Sequence, residues 1–218
     1  MSELFSFFNS SASYRVRIAL GLKGIAFDTR SVNIRTGAHR EAVFVDALSP
    51  MASVPALREG DFSLSQSLAI IDWLDARYPT QRLIPLEQPL RARVLELSYA
   101  IACDIHPVNN LRILKYLEGQ LDATPQQKDA WYRHWIKEGM CGIERLLSRG
   151  RQQYGGPWCF GKEPTLADCC LIPQIANAKR FGCDLADYPI AMSIFEHAAS
   201  NSAFVAAAPD KQPDFVAQ

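Results

Sequence analysis

The sequence predicts a two-part chain: an α/β domain of βαβαββα order over residues 1–82, a linker over 83–88, and an all-helical domain over 89–218. Three observations predict it. Strand-like and helix-like apolar patterns alternate up to about residue 80. The proline-rich stretch "YPTQRLIPLEQP" then interrupts them, and beyond it long helical patterns run with almost no strand signal.

The elements follow in order. Leu4 to Phe8 is short, aromatic-rich and bounded by turn formers, as a buried strand is. From Tyr14 onward Val16, Ala19 and Leu20 fall at i, i+3 and i+4 with Arg15, Arg17 and Lys23 between them, so a helix follows and ends near Gly24. Ala26 to Val32 reads as the second strand and Arg40 to Leu48 as a short helix. Val54 to Leu57 and Phe62 to Leu64 read as strands, and the Gly60-Asp61 pair between them makes a tight turn and an antiparallel hairpin. The first two strands need a crossover helix and should be parallel. Leu68, Ile71, Leu74 and Tyr78 form the stripe of a third helix. In the helical part, Trp131, Trp135, Ile136 and Met140 read as a core stripe, and "TLAD", with Thr165 as N-cap and Asp168 three residues on, reads as a structural capping box.

Bulk properties exclude several classes of function. The 218 residues carry 23 Lys plus Arg against 23 Asp plus Glu, so nothing biases the chain toward nucleic acid or acidic membranes, and a small-molecule partner is expected. The N-terminus has no basic segment followed by an apolar core, and no apolar run approaches the length of a membrane span; a cytoplasmic protein is expected. The six cysteines all lie beyond residue 100 and none is spaced C-x-x-C, which disfavours a metal site or a disulfide framework.

The stretch "NSSASYRVRIAL" places serines at a strand-to-helix junction. Backbone N–H groups exposed there, with the helix dipole, stabilise an anion or thiolate, although a serine at this point also serves as an ordinary N-cap. In "SPMASVPAL" Pro55 opens a strand; it marks an edge or a special turn, is compatible with a cis bond, and leaves Val54 with backbone groups for an extended peptide. "SLSQSLAIIDWL" starts the third helix with Ser65, Gln66 and Ser67, a second anion site. A thiolate site, a backbone-pairing segment and a carboxylate site together describe a receptacle for a short acidic thiol peptide.

Across nearly the whole chain, "SSASYRVRIALGLKGI", "NIR", "LSPMASVPAL", "QSLAIIDWLDARYP", "DIHPVNN", "FGKEPTLADCCLIPQIANAKRF" and "PDKQPD" resemble the zeta class of glutathione transferases in order. The resemblance implies a two-domain glutathione transferase fold, with a thioredoxin-like first domain binding glutathione and an all-α second domain. It also implies a homodimer and glutathione-dependent cis-trans isomerisation of maleylpyruvate or maleylacetoacetate. It assigns Ser10 to the glutathione sulfur, with Ser11 to Arg15 forming the surrounding loop and first turn; Ser10, Ser11 and Arg15 are the catalytic candidates. Val54, before a cis Pro55, would pair with the cysteinyl portion, and Gln66 and Ser67 would hold the γ-glutamyl carboxylate and amine. His106, Asn110 and Arg112 match positions that line the family's cleft, the first two toward glutathione, and Arg180 matches an arginine facing the acidic substrate. Two positions depart from the class: Ala12 stands where Cys or Thr is usual, and Asn9 where many bacterial relatives carry Arg.

The chemistry needs few parts. Rotation about a C=C bond becomes fast when conjugate addition of a thiolate makes it temporarily single, and expulsion of the thiolate restores it. A helix N-terminus and a hydroxyl keep a thiol ionised below its usual value of about 8.5; aimed donors or cations stabilise the enolate formed on addition; arginines such as Arg112 and Arg180 fork a dicarboxylate. Neither a protein nucleophile nor a metal is required. The leading expectation is maleylpyruvate isomerisation in aromatic-acid (gentisate) breakdown. The alternatives are maleylacetoacetate isomerisation in tyrosine and phenylalanine breakdown, glutathione conjugation or dehalogenation, and a non-catalytic glutathione-binding module. On residue chemistry alone, His106 before Pro107 also suits a helix-ending role, Arg180 a helix C-terminus and Arg112 a solvated surface.

Overall fold

The computed structural model describes residues 2–216. The first half adopts the expected order: β1 (Ser2–Ser6), α1 (Ser11–Leu22), β2 (Phe27–Ser31), α2 (Ala42–Ala47), β3 (Ala56–Glu59), β4 (Phe62–Ser65) and α3 (Ser67–Arg77). The strands form one sheet in the order β2-β1-β3-β4. As the connections demand, β1 and β2 are parallel, while β3 is antiparallel to both β1 and β4. β3 is therefore an inner strand, so Pro55 marks a special turn and not an edge: the Val54-Pro55 bond is cis and sits one residue before the ladder begins. This is the mixed sheet with crossover helix expected of a thioredoxin-like domain.

The helices depart from simple amphipathic faces. In α1 every residue from Ser13 to Leu20 is buried, Arg15 and Arg17 included at 2% exposure each, because the helix packs against α3 on one side and a C-terminal helix on the other. In α3 the buried set is Ser67, Ile70, Ile71, Leu74 and Asp75, with Ile70 in the place expected of Leu68. Lys23, just past α1, pairs with Asp75 at 2.8 Å, almost without solvent contact, and also donates to the carbonyls of Tyr78 and Gln81. The Asp75 carboxylate in turn accepts from the N–H groups of Leu83 and Ile84. Every partner in this network contributes to fixing the end of the domain, which suits the several kcal/mol cost of leaving a buried charge unpaired.

The chain divides into two compact units, one made of the residues through Ile84 together with those from Ala198 on, the other of Pro85–His197. The terminal segment, with α9 (Ser202–Ala207) and a 3-10 turn (Pro209–Lys211), thus groups with the sheet. The second unit carries α4 (Gln88–Tyr99), α5 (Leu111–Gln120), α6 (Pro125–Tyr154), α7 (Leu166–Arg180) and nearly all of α8 (Pro189–Ala198). Its core stripe on α6 is Tyr132, Ile136, Met140, Ile143 and Leu147. Trp131 and Trp135 of the expected stripe are only half-buried; they meet edge to face at 5.6 Å, and the Trp131 indole N–H donates to the Val108 carbonyl. Between α4 and α5 the backbone widens into a π-helical turn, Ala100–Ile105. Gly139 on α6 admits Ile105 of that turn, since a Cβ there would overlap the Ile105 side chain.

Candidate active site

The strand-to-helix junction leads from β1 through Phe7, Phe8 and Asn9 to Ser10, the N-cap of α1. Ser10 is extended (φ −80°, ψ 116°), its N–H donates to the Phe7 carbonyl at 3.0 Å, and its Oγ accepts the Ser13 N–H at 3.2 Å. The cap role is therefore real, and it leaves the hydroxyl proton of Ser10 available to donate elsewhere. Ser11 is buried and Ala12 half-buried; they occupy the first turn, where no intrahelical carbonyl meets their N–H groups. Tyr14 beside them donates to the Phe204 carbonyl at 3.3 Å, and burial pushes its phenol up to about 12.

The other expected segments lie in the same unit. Val54 is buried before the cis Pro55, and among the described residues no hydrogen bond engages its backbone. Gln66 is exposed at the start of α3 with φ 74° and ψ 113°, an uncommon backbone for a residue with a Cβ, and no side chain caps that helix. Ser67 begins the helix and is buried, and Arg15 reaches it from α1, Nη1 to Oγ at 3.3 Å. The Arg15 guanidinium is enclosed and ties the first turn of α1 to the first turn of α3. Two helix N-termini with open donors are thus joined by one cation, an arrangement that favours an anionic ligand at each.

The remaining candidates belong to the second unit. His106 ends the π turn, its N–H donating to the Ile101 carbonyl at 2.9 Å, which matches the helix-ending alternative. Asn110 is the N-cap of α5, its Oδ1 accepting the N–H groups of Arg112 (3.1 Å) and Ile113 (3.3 Å). The Arg112 side chain is exposed on the first turn of that helix. Arg180 is exposed on the last turn of α7, donates to Asn177 Oδ1 at 2.6 Å, and lies over the Phe181 ring at 4.6 Å. Tyr132 on α6 supports both groups: its carbonyl accepts from the Asn109 amide at 3.2 Å, and its ring stacks on Phe181 at 3.9 Å. Burial pushes the Tyr132 phenol upward.

Sequence reasoning missed Arg17. It is buried at the core of the first unit and donates to the carbonyls of Phe7, Phe8 and Ala207 and to Ser6 Oγ, all within 2.9–3.4 Å. Desolvation draws its guanidinium down to about 10. The available signal was its spacing, three residues from both Tyr14 and Leu20 on a helix face that is otherwise apolar. Arg35 was missed as well; its guanidinium lies over the Phe7 and Phe8 rings at 5.5 and 5.4 Å.

The chain is similar to known proteins along nearly its whole length. Residues 4–82 match the family model of the glutathione S-transferase N-terminal domain. A probable maleylacetoacetate isomerase of Vibrio cholerae is 42% identical over 212 residues, which are 97% of each chain. The solved holo structure of a maleylpyruvate isomerase, described as a bacterial zeta-class glutathione transferase, is 40% identical with a TM-score of 0.94, covering 98% of this chain and 100% of that one. A maleylacetoacetate isomerase of Methylobacterium extorquens AM1, solved with malonate and glutathione bound, is 33% identical with a TM-score of 0.93, covering 99% of this chain and 100% of that one. The chain belongs to the zeta class of the glutathione transferases, the family of the maleylacetoacetate and maleylpyruvate isomerases.

Proposed function

We propose that the chain catalyses the glutathione-dependent cis-trans isomerisation of maleylpyruvate to fumarylpyruvate. The observation that carries the reading is the pair of helix N-termini with open donors, joined through Arg15 and Ser67, in the same unit as a Val54 backbone that makes no hydrogen bond among the described residues. That donor set fits glutathione: a hydroxyl at one terminus for a thiol, free peptide groups for an extended backbone, and an uncapped second terminus for a carboxylate. Glutathione supplies the thiolate that adds to the double bond and leaves it after rotation.

The chain's own residues then have separable tasks. Ser10 donates its hydroxyl proton as a hydrogen bond toward the sulfur while its oxygen stays bonded to the Ser13 N–H, so the cap fixes the donor's place. The first turn of α1, with Ser11, adds the partial positive charge that favours the ionised thiol. Arg15 holds the two termini together, and its charge favours anions at both. Val54 pairs with the peptide backbone, and Gln66 and Ser67 hold the γ-glutamyl end. His106 and Asn110 act toward glutathione, and Asn9, Arg112 and Arg180 act toward the acid. Binding a dicarboxylate asks for forked cations, and both arginines are exposed on helix termini. We place the enzyme in the cytoplasm as a homodimer.

Maleylacetoacetate is the second reading, supported by relatives that carry the name maleylacetoacetate isomerase, 42% identical in Vibrio cholerae and 33% in Methylobacterium extorquens AM1. The deciding experiment follows the ultraviolet absorbance of enzymatically generated maleylpyruvate with and without glutathione while total thiol is assayed. Glutathione-dependent loss with thiol conserved and fumarylpyruvate formed supports the proposal. Loss of thiol establishes conjugation instead, and turnover of maleylacetoacetate alone establishes the second reading. Binding of glutathione without turnover of either acid leaves the chain a binding module.

A further inference from the structure

The turn before Ser10 is held by Arg17 and by residues from the other end of the chain. The turn Phe7-Phe8-Asn9-Ser10 closes on itself through the Ser10 N–H to Phe7 carbonyl bond, but its outer peptide groups need partners from elsewhere. The Phe8 N–H donates to Asp214 Oδ2 at 3.0 Å, across 206 positions of sequence. The Phe8 carbonyl accepts from Arg17 Nη2 at 3.0 Å, and the Phe7 carbonyl accepts from Arg17 Nη1 at 3.4 Å as well as from Ser10. Arg17 Nε closes the circuit on the Ala207 carbonyl at 2.9 Å, where α9 ends. The Phe215 ring meets the Phe8 ring edge-on at 5.6 Å and 88°. The segment that supplies Asp214 and Phe215 is itself held, since the Gln212 amide donates to the carbonyls of Ala206 and Ala208 and the Phe215 N–H to the Gln212 carbonyl.

Both hydrogen-bonding groups of the Phe8 backbone are therefore satisfied from outside the turn, one by a carboxylate and one by a guanidinium. These are charge-assisted bonds, roughly twice as strong as neutral ones. Phe8 lies two residues before Ser10, so its peptide orientation sets the path by which the chain enters the cap. A shift of about 1 Å in a group that bonds a reacting atom costs a large part of its effect. We propose that Asp214, with Arg17, is a positioning residue for the Ser10 hydroxyl, and that the C-terminal segment from Ala207 to Phe215 acts as a clasp that aims it at the glutathione sulfur. The inference rests on the reading of Ser10 as the partner of that sulfur.

The test uses the full chain with glutathione bound and reads the thiolate absorbance of the complex against pH, together with kcat and KM. Asp214→Ala should raise the apparent pKa of the bound thiol by about half a unit and lower kcat roughly three- to tenfold, with the KM for glutathione little changed. Asp214→Asn keeps an oxygen able to accept the Phe8 N–H and should restore most of both values. The decisive variant is the double one: if Asp214 acts through Ser10, Asp214→Ala should add no further shift in a Ser10→Ala background. A lowered Tm with an unmoved thiol titration, or an equal shift in both backgrounds, would overturn the proposal and leave the clasp a stabilising element only. If Asp214→Ala does not fold, Phe215→Ala gives the same comparison through the ring contact. Should Ser10→Ala itself leave the titration unmoved, the reading of Ser10 fails first and the clasp proposal falls with it; a shift for Ser10→Ala but not for Asp214→Ala sinks the clasp alone.

Discussion

The helix N-termini of α1 and α7 begin with the same kind of hydroxyl cap and end up with different surroundings. At α7, Asp168 is fully buried: its Oδ2 accepts the Thr165 N–H and hydroxyl at 2.8 and 3.0 Å, and its Oδ1 accepts the Cys159 N–H at 2.9 Å. Thr165 Oγ1 in turn takes the Ala167 N–H at 3.3 Å. At α1 the side-chain cap is a single bond from the Ser13 N–H to Ser10, and at α3 there is no side-chain cap at all. At α7 protein groups engage the N–H groups of Thr165, Ala167 and Asp168, while the termini of α1 and α3 keep more open donors. A serine or threonine before a helix thus says little by itself; a carboxylate three residues on that accepts the cap residue's own N–H, as Asp168 does from Thr165, marks the structural terminus.

The contrast breaks most visibly at Asp168. Asp168→Ala leaves the N–H groups of Cys159 and Thr165 buried without an acceptor, at about 1–3 kcal/mol each. A destabilisation of about 3 kcal/mol or more should appear in urea unfolding. Kinetic constants per folded molecule should stay those of the wild type. A fall in kcat for the folded fraction would show that the α7 terminus also serves the chemistry.

Ser10→Ala tests the other side. Loss of a hydrogen bond to a charged group is worth about 1.5–3 kcal/mol, so kcat/KM for the acid should drop roughly 10- to 100-fold. Loss of the cap to Ser13 should cost about 1 kcal/mol of stability besides. Unchanged isomerisation with lowered stability would make the α1 terminus structural, like that of α7.

The two termini also differ in how far the sequence revealed them. Thr165 and Asp168 are three residues apart, so the capping box is local and was readable as structural. The βαβαββα order was equally readable, because alternation, turn residues and crossover length are local properties. Serine chemistry and helix start gave a cap among Ser10, Ser11 and Ser13, but not that it is Ser10 or what its remaining proton faces. Arg17 and Asp214 escaped because their partners lie up to 206 positions away, beyond any periodicity. The π turn before His106 escaped for a related reason: it depends on Gly139, on another helix, admitting Ile105. Charged residues set inside an apolar helix face, as Arg15 and Arg17 are, were the one local trace of these long-range ties.

Thr165→Ala sharpens the account of the α7 terminus. It removes the acceptor of the Ala167 N–H and one donor to Asp168, and should cost about 1 kcal/mol, less than Asp168→Ala, because the Cys159 and Thr165 backbone bonds survive. Urea midpoints of the two variants and their combination would show a shared network as non-additivity.

The smallest effect is expected at α3, and its sign carries the information. Gln66 holds φ 74° and ψ 113°, a positive φ that costs a residue with a Cβ about 1–3 kcal/mol and a glycine less. Gln66→Gly relieves that strain but frees the unfolded chain, so the net gain should be under about 1 kcal/mol. The same change removes a side-chain amide from the mouth of an uncapped terminus, and glutathione affinity should weaken several-fold. Thermal unfolding and glutathione titration of one variant thus should move in opposite directions, stability up and affinity down. At a terminus of the α7 kind no such opposition arises, because the cap that binds is the cap that stabilises. If Gln66→Gly gains stability and keeps its affinity, the uncommon backbone at α3 serves folding geometry alone, and the second anion site must rest on Ser67 and the helix N–H groups.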